Sequence, residues 1–474
     1  MTKDLKIIIL GRVLQIGITL FSIRFLTTFL SPEEVGNYYL LLALMAFFNL
    51  VLLNPPGMYF SRHLLEWQRS KQLLNALSVF IGWMLVVIIL AMGVLLLVYD
   101  VLDYKSKFEL TVFLVYILGS IIISTIHRNV LFGSNTLGFR KEFVIYLLLT
   151  LMLGLIFSSL IVTVYYPYAL GWLLGVLLSE LLLVYFIFKF FIQDNILDIQ
   201  KIKTTLTKER LKKILFFTFP IGITTFLMWG QTIAYRFLVD RYYSAEVLAY
   251  IAVGLGIAAS VFGSVESIAQ QYFNPIFLKS ILDASREKRA EAWNRMAEQI
   301  VPIYLFTAFF TLALAEVLIN ILVDHKFHDA YIYVMVGVMV EFFRVMSNLL
   351  NSVAQSEYRT TSTVKPYLVG FVISLGLLSS MDFSENYLMI PVVLGFAYLC
   401  VFIYMYLNMK QILEIKYEVN WLKVCFLSLP FGMIYFINLE QSSLWMNLVI
   451  LAGFGLYYLL AIWLTMEKTD KGIN

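Results

Sequence analysis

Arg12, Arg24 and Arg344 each lie inside an apolar run long enough to cross a membrane. A charge at the bilayer centre costs about 2.5–3.5 kcal/mol on insertion scales, so such an arginine has to face protein, water or a ligand. Arg12 shares one helical face with Gln15, Thr19 and Ser22, at i, i+3, i+7 and i+10. A guanidinium stays charged and offers paired donors that match phosphate oxygens. The competing reading is that Arg12, two turns into its span, snorkels to the headgroups.

A second stripe runs through Glu341, Arg344, Asn348, Asn351 and Gln355, at i, i+3, i+7, i+10 and i+14. Glu341 and Arg344 can pair within the helix. The stripe is either the wall of an aqueous cavity or a self-neutralised contact between helices. A third stripe comprises Thr224, Gln231 and Tyr235. Arg24 and Arg236 sit near the outer ends of their spans, beside Glu34 and Glu246; they read as snorkelling anchors or as gate contacts with those acids. Glu180 and Glu316 stand alone in apolar surroundings. A carboxyl in hydrocarbon can take up a proton near neutral pH. Coupling to H+ or Na+ is therefore open at Glu180, Glu316 and Glu341, against the plainer reading of helix–helix contacts.

The elements that must hold these residues follow from composition. The chain has 474 residues, 61% hydrophobic and 14% charged, against about 25% charged in soluble domains. Fourteen spans are expected, at 7–30, 36–54, 73–98, 110–132, 143–164, 169–191, 214–236, 246–266, 299–323, 331–352, 367–381, 388–408, 424–439 and 444–464. With both termini cytoplasmic, and residues at span ends counted with the adjoining segment, the cytoplasmic side holds 27 of the 35 Lys and Arg, the other side holds 5, and Arg12, Arg24 and Arg344 lie deeper within spans. That asymmetry fixes the expected orientation. The basic stretches 193–213 and 278–296 read as amphipathic surface helices attracted to anionic headgroups, or as topological signals.

The chain also resembles itself. "RFLTTFLSPEEVGNY" (Arg24–Tyr38) aligns without gaps on "RFLVDRYYSAEVLAY" (Arg236–Tyr250) at an offset of 212, and an offset of 216 places Arg128 on Arg344 and Asn135 on Asn351. Six spans separate the copies, so the repeat is parallel. The expected fold is an all-α polytopic membrane protein. A six-helix lobe at 1–192, a cytoplasmic linker at 193–213 and a second six-helix lobe at 214–409 surround a central cavity, and residues 410–474 add two helices.

No GxxxxGK[ST] loop, HExxH or TVGYG segment is present, so ATP hydrolysis, a zinc protease site and a potassium filter are not expected. No cofactor or metal is implied, and neither a catalytic residue nor a nucleic-acid partner is expected. Cys400 and Cys425 read as small hydrophobes.

The first span with its arginine, "LSPEEVGNYYLL", "SRHLLEWQRSKQLLNALS", "LKKILFFTFPIGITTFLMW" and "RFLVDRYYSAEVLAYIAV" together resemble the polysaccharide-transporter branch of the multidrug/oligosaccharidyl-lipid/polysaccharide exporter superfamily, specifically O-antigen flippases. The family's Asp-Arg pair is shifted here, at Asp240 and Arg241. The resemblance implies a flippase, not an enzyme, in the bacterial inner membrane. It would translocate an undecaprenyl-pyrophosphate-linked oligosaccharide for lipopolysaccharide or other surface-polysaccharide biosynthesis, alongside polysaccharide-assembly proteins. Arg12, Gln15, Thr19, Gln231, Arg344, Asn348 and Asn351 would bind substrate; Arg24, Arg236, Glu180, Glu316 and Glu341 would gate or couple. The alternatives are a drug or small-solute antiporter of the same superfamily, and a membrane glycopolymer polymerase or ligase. Against the last stands the lack of a large outer loop.

Overall fold

In lipid every backbone N–H and C=O has to be satisfied within the protein, and long apolar runs do this as helices. The computed structural model describes residues 3–101, 104–192, 208–282, 284–357, 359–437, 439 and 443–466, and contains no strand among them. Among these residues thirteen helical stretches are long and apolar enough to span a bilayer. The helices are α1 (Lys3–Phe29), α2 (Pro32–Phe47), α3 (Asn54–Arg69), α4 (Leu73–Val101), α5 (Leu110–Thr136), α6 (Arg140–Val164) and α7 (Ala169–Ile192). There follow α8 (Lys208–Thr232), α9 (Tyr235–Tyr242), α10 (Ala245–Ser280), α11 (Arg286–Ala313), α12 (Ala315–Leu322), α13 (Tyr331–Ser356), α14 (Val364–Ser380), α15 (Met389–Ile412), α16 (Trp421–Ser428) and α17 (Leu444–Met466). Residues 193–207, most of the expected linker, lie outside the described residues.

The expected thirteenth span is shorter than its neighbours. Trp421–Phe436 is eight residues of α-helix followed by eight of 3₁₀-helix, Leu429–Phe436. The steeper rise of the 3₁₀ part brings the pair to roughly 28 Å, close to the hydrocarbon thickness of about 30 Å.

The chain forms two compact units. The first is Met1–Trp229 with Val239–Glu246, the second Gly230–Leu238 with Val247–Asn474. In unit 1, α7 packs on α5 and α6, and α1 on α6. The turn "LSPEEVGNY" is built for that packing. Ser31 caps α2, and Glu34 accepts hydrogen bonds from the backbone N–H of Ala169 (2.6 Å) and from Asn37 Nδ2 (2.9 Å). Gly36 lies so close to Ala245 that a Cβ would fall 1.8 Å from that residue's carbonyl oxygen. The outer-turn carboxylate of Glu34 thus serves as a helix-end ligand.

The second span is longer than its expected end at 54. α2 passes through a π-helical turn, Phe48–Leu53, into α3, a continuous stretch of 38 residues. Pro56 has no N–H for the carbonyl of Leu52, four residues back. Trp83 Nε1 donates to that carbonyl instead, at 2.9 Å.

In unit 2, α13 and α14 pack on α15, and α11 packs on α13 and α17. The seventh span is not one helix to 236: it stops at Thr232 and restarts as α9. The ninth is broken at Leu314 (φ −97°, ψ 13°). The stretch 286–296 is not a separate helix. It is the start of α11, where Trp293 is fully buried and Arg289 makes two hydrogen bonds to Glu357, at 2.7 and 3.0 Å. One face of this stretch is thus packed on protein, while Arg286, Lys288, Glu291 and Arg295 remain exposed. Asn294 donates to the carbonyl of Glu414 and accepts from the N–H of Lys416. This holds the strap that leads to the last two helices. The last of them docks on α11 through Tyr458 against Thr307 (2.9 Å), and the two are joined to each other by Lys423, whose Nζ donates to the carbonyl of Leu464.

Candidate functional site: intramembrane charge clusters

The densest polar cluster lies in unit 2, between α10 and α13. Both helices start on the same side of the bundle and run in parallel. Tyr250 of α10 donates to the carbonyl of Lys326 just before α13. One turn on, Gly254 is so close to Ala330 and Tyr333 that a Cβ would lie 2.4 Å from the Tyr333 side chain. Small residues at such crossings let membrane helices approach. The close packing brings Glu266 of α10 against the polar stripe of α13. Arg344 donates from Nε to Glu341 (2.6 Å) and from Nη1 to Glu266 (3.0 Å). Asn348 Nδ2 donates to Glu266 at 2.8 Å, and Gln270 Nε2 at 3.2 Å. Glu266 and Glu341 are each 8% exposed. The hydroxyl-bearing rings of Tyr304, Tyr367 and Tyr398, all buried, interact electrostatically with Arg344.

Two carboxylates thus share one guanidinium. With all three ionised the cluster carries an excess negative charge in a buried site, where the dielectric is low. A proton or a monovalent cation would cancel it. Glu266 escapes a reading of the sequence because the eighth span seems to end there. α10 instead runs on to Ser280, and Glu266 lies about 31 Å along it, within the packed helix. The signal was the polar string after it, Glu266, Ser267, Gln270 and Gln271, with Glu266 and Gln270 four apart.

Unit 1 repeats the theme with different partners. Arg128 lies inside α5, as the fourth span at 110–132 implies, and donates to Asn49 Oδ1 in the π-helical turn (3.0 Å). Glu180 of α7 accepts a hydrogen bond from Ser124 and interacts electrostatically with Arg128. Glu180 is therefore not a lone carboxylate. Arg128 and Arg344, matched by the sequence repeat, each reach a residue on the second helix of their own lobe, Asn49 and Glu266 respectively.

Arg12 differs from both. It is half-buried, and its Nη1 donates to Gln15 Oε1 at 2.8 Å. Among the described residues it has no carboxylate partner. Gly11 turns the opposite face of α1 onto Val144 of α6, which leaves Leu10 and Leu14 exposed, with Thr19 further along. The structure thus joins Arg12 and Gln15 directly.

The remaining expected site residues scatter. Gln231 is 1% exposed, packed against Gly370 of α14, and neither polar atom of its amide has a hydrogen-bonding partner among the described residues. Arg24 lies on α1, and its carbonyl accepts from Thr27 and Thr28. Arg236 is in the first turn of α9, with its guanidinium 5.9 Å from the ring of Tyr235. Asn351 is half-buried on α13, and Glu316 is in the first turn of α12. Among the described residues no group of three or more metal-ligating side chains occurs.

No protein-family model and no curated protein sequence matches the chain. Solved structures do match in fold. The lipid II flippase MurJ in an inward closed conformation superposes with a TM-score of 0.69, at 14% identity, over 97% of this chain and 98% of that one. The chain has the fold of that flippase. An inward-facing multidrug resistance MATE family transporter of the MOP superfamily follows with a TM-score of 0.62, at 12% identity, over 85% of this chain and 94% of that one. A MATE structure in complex with MaD5 reaches 0.52 at 12% identity, over 87% and 99%. The expected multi-pass fold with parallel lobes is thereby established. The matched structures are of flippases and transporters.

Proposed function

We propose that this chain is a flippase for an undecaprenyl-pyrophosphate-linked oligosaccharide, an O-antigen or other surface-polysaccharide repeat unit, working by alternating access in the bacterial inner membrane. The observation that carries the reading is Arg12. It is an intramembrane guanidinium with an amide partner and, among the described residues, no carboxylate, on a helix in the fold of the lipid II flippase MurJ. A cation left without a counter-charge in a membrane is a site for an anion, and a pyrophosphate head supplies one. Gln15 and Thr19, beside it on the same face, offer hydrogen bonds to sugar. Both termini are taken as cytoplasmic, so Arg12 meets substrate where it is made.

The test is Arg12→Ala and Arg12→Lys at matched membrane abundance. The alanine variant is expected to abolish export and accumulate lipid-linked precursor inside. Lysine keeps the charge but loses the paired donors, so it rescues in part. Normal export in the alanine variant would make Arg12 an interfacial anchor. The Glu266–Glu341–Arg344 cluster is the candidate coupling site, for H+ or Na+. A second reading, a multidrug antiporter, is favoured by the MATE similarity; uptake of a soluble organic cation into proteoliposomes would select it.

A further inference from the structure

A cavity of about 440 Å³ opens in unit 2 between the break in the ninth span, the start of α13 and the 3₁₀ turn Leu429–Phe436. Its walls are apolar, Met335 and Ile434 among them, apart from two tyrosines, Tyr331 and Tyr435, and one carboxylate, Glu316. The size is that of a small-ligand pocket, roughly 300–1,000 Å³. The break at Leu314 is what puts Glu316 there, because it restarts the helix and turns its first residues toward the 3₁₀ turn.

Glu316 is half-buried and has neither an ion pair nor a hydrogen bond among the described residues. It differs in this from Glu180, Glu266 and Glu341, each of which has a donor. A carboxylate held among apolar groups without a counter-charge is costly. The start of α12 offsets part of that cost through the helix dipole, and the open cavity in front leaves room for a cation. Depth narrows the cation's nature. Glu316 lies six residues, about 9 Å, before the end of α12 at Leu322. In a hydrocarbon core of about 30 Å that is within the third next to this helix end, in reach of a headgroup drawn into the cavity. The rim continues into Met433 and Phe436, 62% and 91% exposed, a surface made for acyl chains.

We propose that this cavity binds the ammonium head of an ethanolamine phospholipid, with Glu316 as counter-ion and Tyr331 and Tyr435 as aromatic walls. A primary ammonium carries three donors, for the carboxylate and for phenol oxygens, and its charge is attracted to ring faces. A trimethylammonium head has the charge without the donors. The proposal stands on this cavity alone and is independent of what the protein transports.

The experiment reconstitutes the protein in vesicles of equimolar phosphatidylethanolamine, phosphatidylcholine and phosphatidylglycerol, extracts it in mild detergent and counts retained lipids by native mass spectrometry. The wild type is expected to retain phosphatidylethanolamine over both others. Glu316→Gln should reduce that preference about tenfold, the loss of one charge-assisted hydrogen bond. Met335→Trp fills the cavity while keeping the carboxylate, and should abolish retention. Both variants are checked for a monodisperse elution profile. If Glu316→Gln does not fold, the wild-type lipid preference and Met335→Trp decide. Undiminished retention in either variant overturns the proposal, as does equal retention of phosphatidylcholine. Displacement of the lipid by soluble phosphoethanolamine would assign the site to a soluble amine and overturn the lipid assignment.

Discussion

Replacing Arg344 by methionine removes the guanidinium that bonds both Glu341 and Glu266, at 2.6 and 3.0 Å. Breaking a buried ion pair by deleting one partner costs about 3–5 kcal/mol. Two stranded carboxylates do not double that figure, because each can escape by taking up a proton. For a glutamate of ordinary acidity at pH 7, that costs about 3.7 kcal/mol. The expected loss for Arg344→Met is therefore about 4 kcal/mol. Pairing the change with Glu341→Gln, which would restore neutrality if Glu341 were the sole partner, still leaves Glu266 charged and recovers only part of it. The triple variant Glu266→Gln, Glu341→Gln, Arg344→Met carries no charge and should regain most of the stability. Glu341→Gln alone keeps the Arg344–Glu266 pair and should cost about 1 kcal/mol. The assay is thermal unfolding of purified protein in detergent, read by intrinsic fluorescence, with surface-glycan export scored separately. The reasoning predicts the order of melting temperature as wild type, Glu341→Gln, triple, double, Arg344→Met. A triple variant as unstable as Arg344→Met would show that packing, not charge balance, holds the cluster. In that case Glu266 would have no claim to be a coupling residue. A stable triple variant that cannot export is the outcome expected of a coupling site.

Two further outcomes follow from the geometry. Gly36→Ala would put a Cβ 1.8 Å from the carbonyl oxygen of Ala245, and backbone does not yield as a side chain does. The expected result is a loss of about 2 kcal/mol or more and reduced membrane abundance, measured by immunoblot against Gly17→Ala, where a Cβ meets nothing within 4 Å. In a background lacking Cys400 and Cys425, His325→Cys, highly exposed in its turn, should react with an impermeant maleimide in intact cells whose outer membrane is permeabilised. Lys203→Cys should react only after the inner membrane is opened, and the reverse pattern would invert the orientation.

The sequence by itself determined that the chain is a bundle of membrane helices, because backbone in lipid has no other partner than itself. It also determined the parallel repeat, since the two copies of the outer turn keep their Arg, Glu, Val and Tyr in register. Arg12 with Gln15, and Glu341 with Arg344, were legible for the same reason: each pair lies three residues apart on one helix, and helical geometry alone makes the contact. Partners on different helices were not legible. Glu266 reaches Arg344 from 78 positions away, and only the close approach at Gly254 decides that it does. The partners of Glu180 and Glu34, Ser124 and the N–H of Ala169, are likewise fixed by packing rather than by local pattern. The breaks at Ile233–Ala234 and Leu314 leave no mark in hydropathy, because a helix can stop and restart in lipid wherever its freed backbone groups find partners nearby. Tertiary structure alone decided which of the buried carboxylates meet a donor on another helix, and that Arg12 and Glu316 have no partner of opposite charge among the described residues.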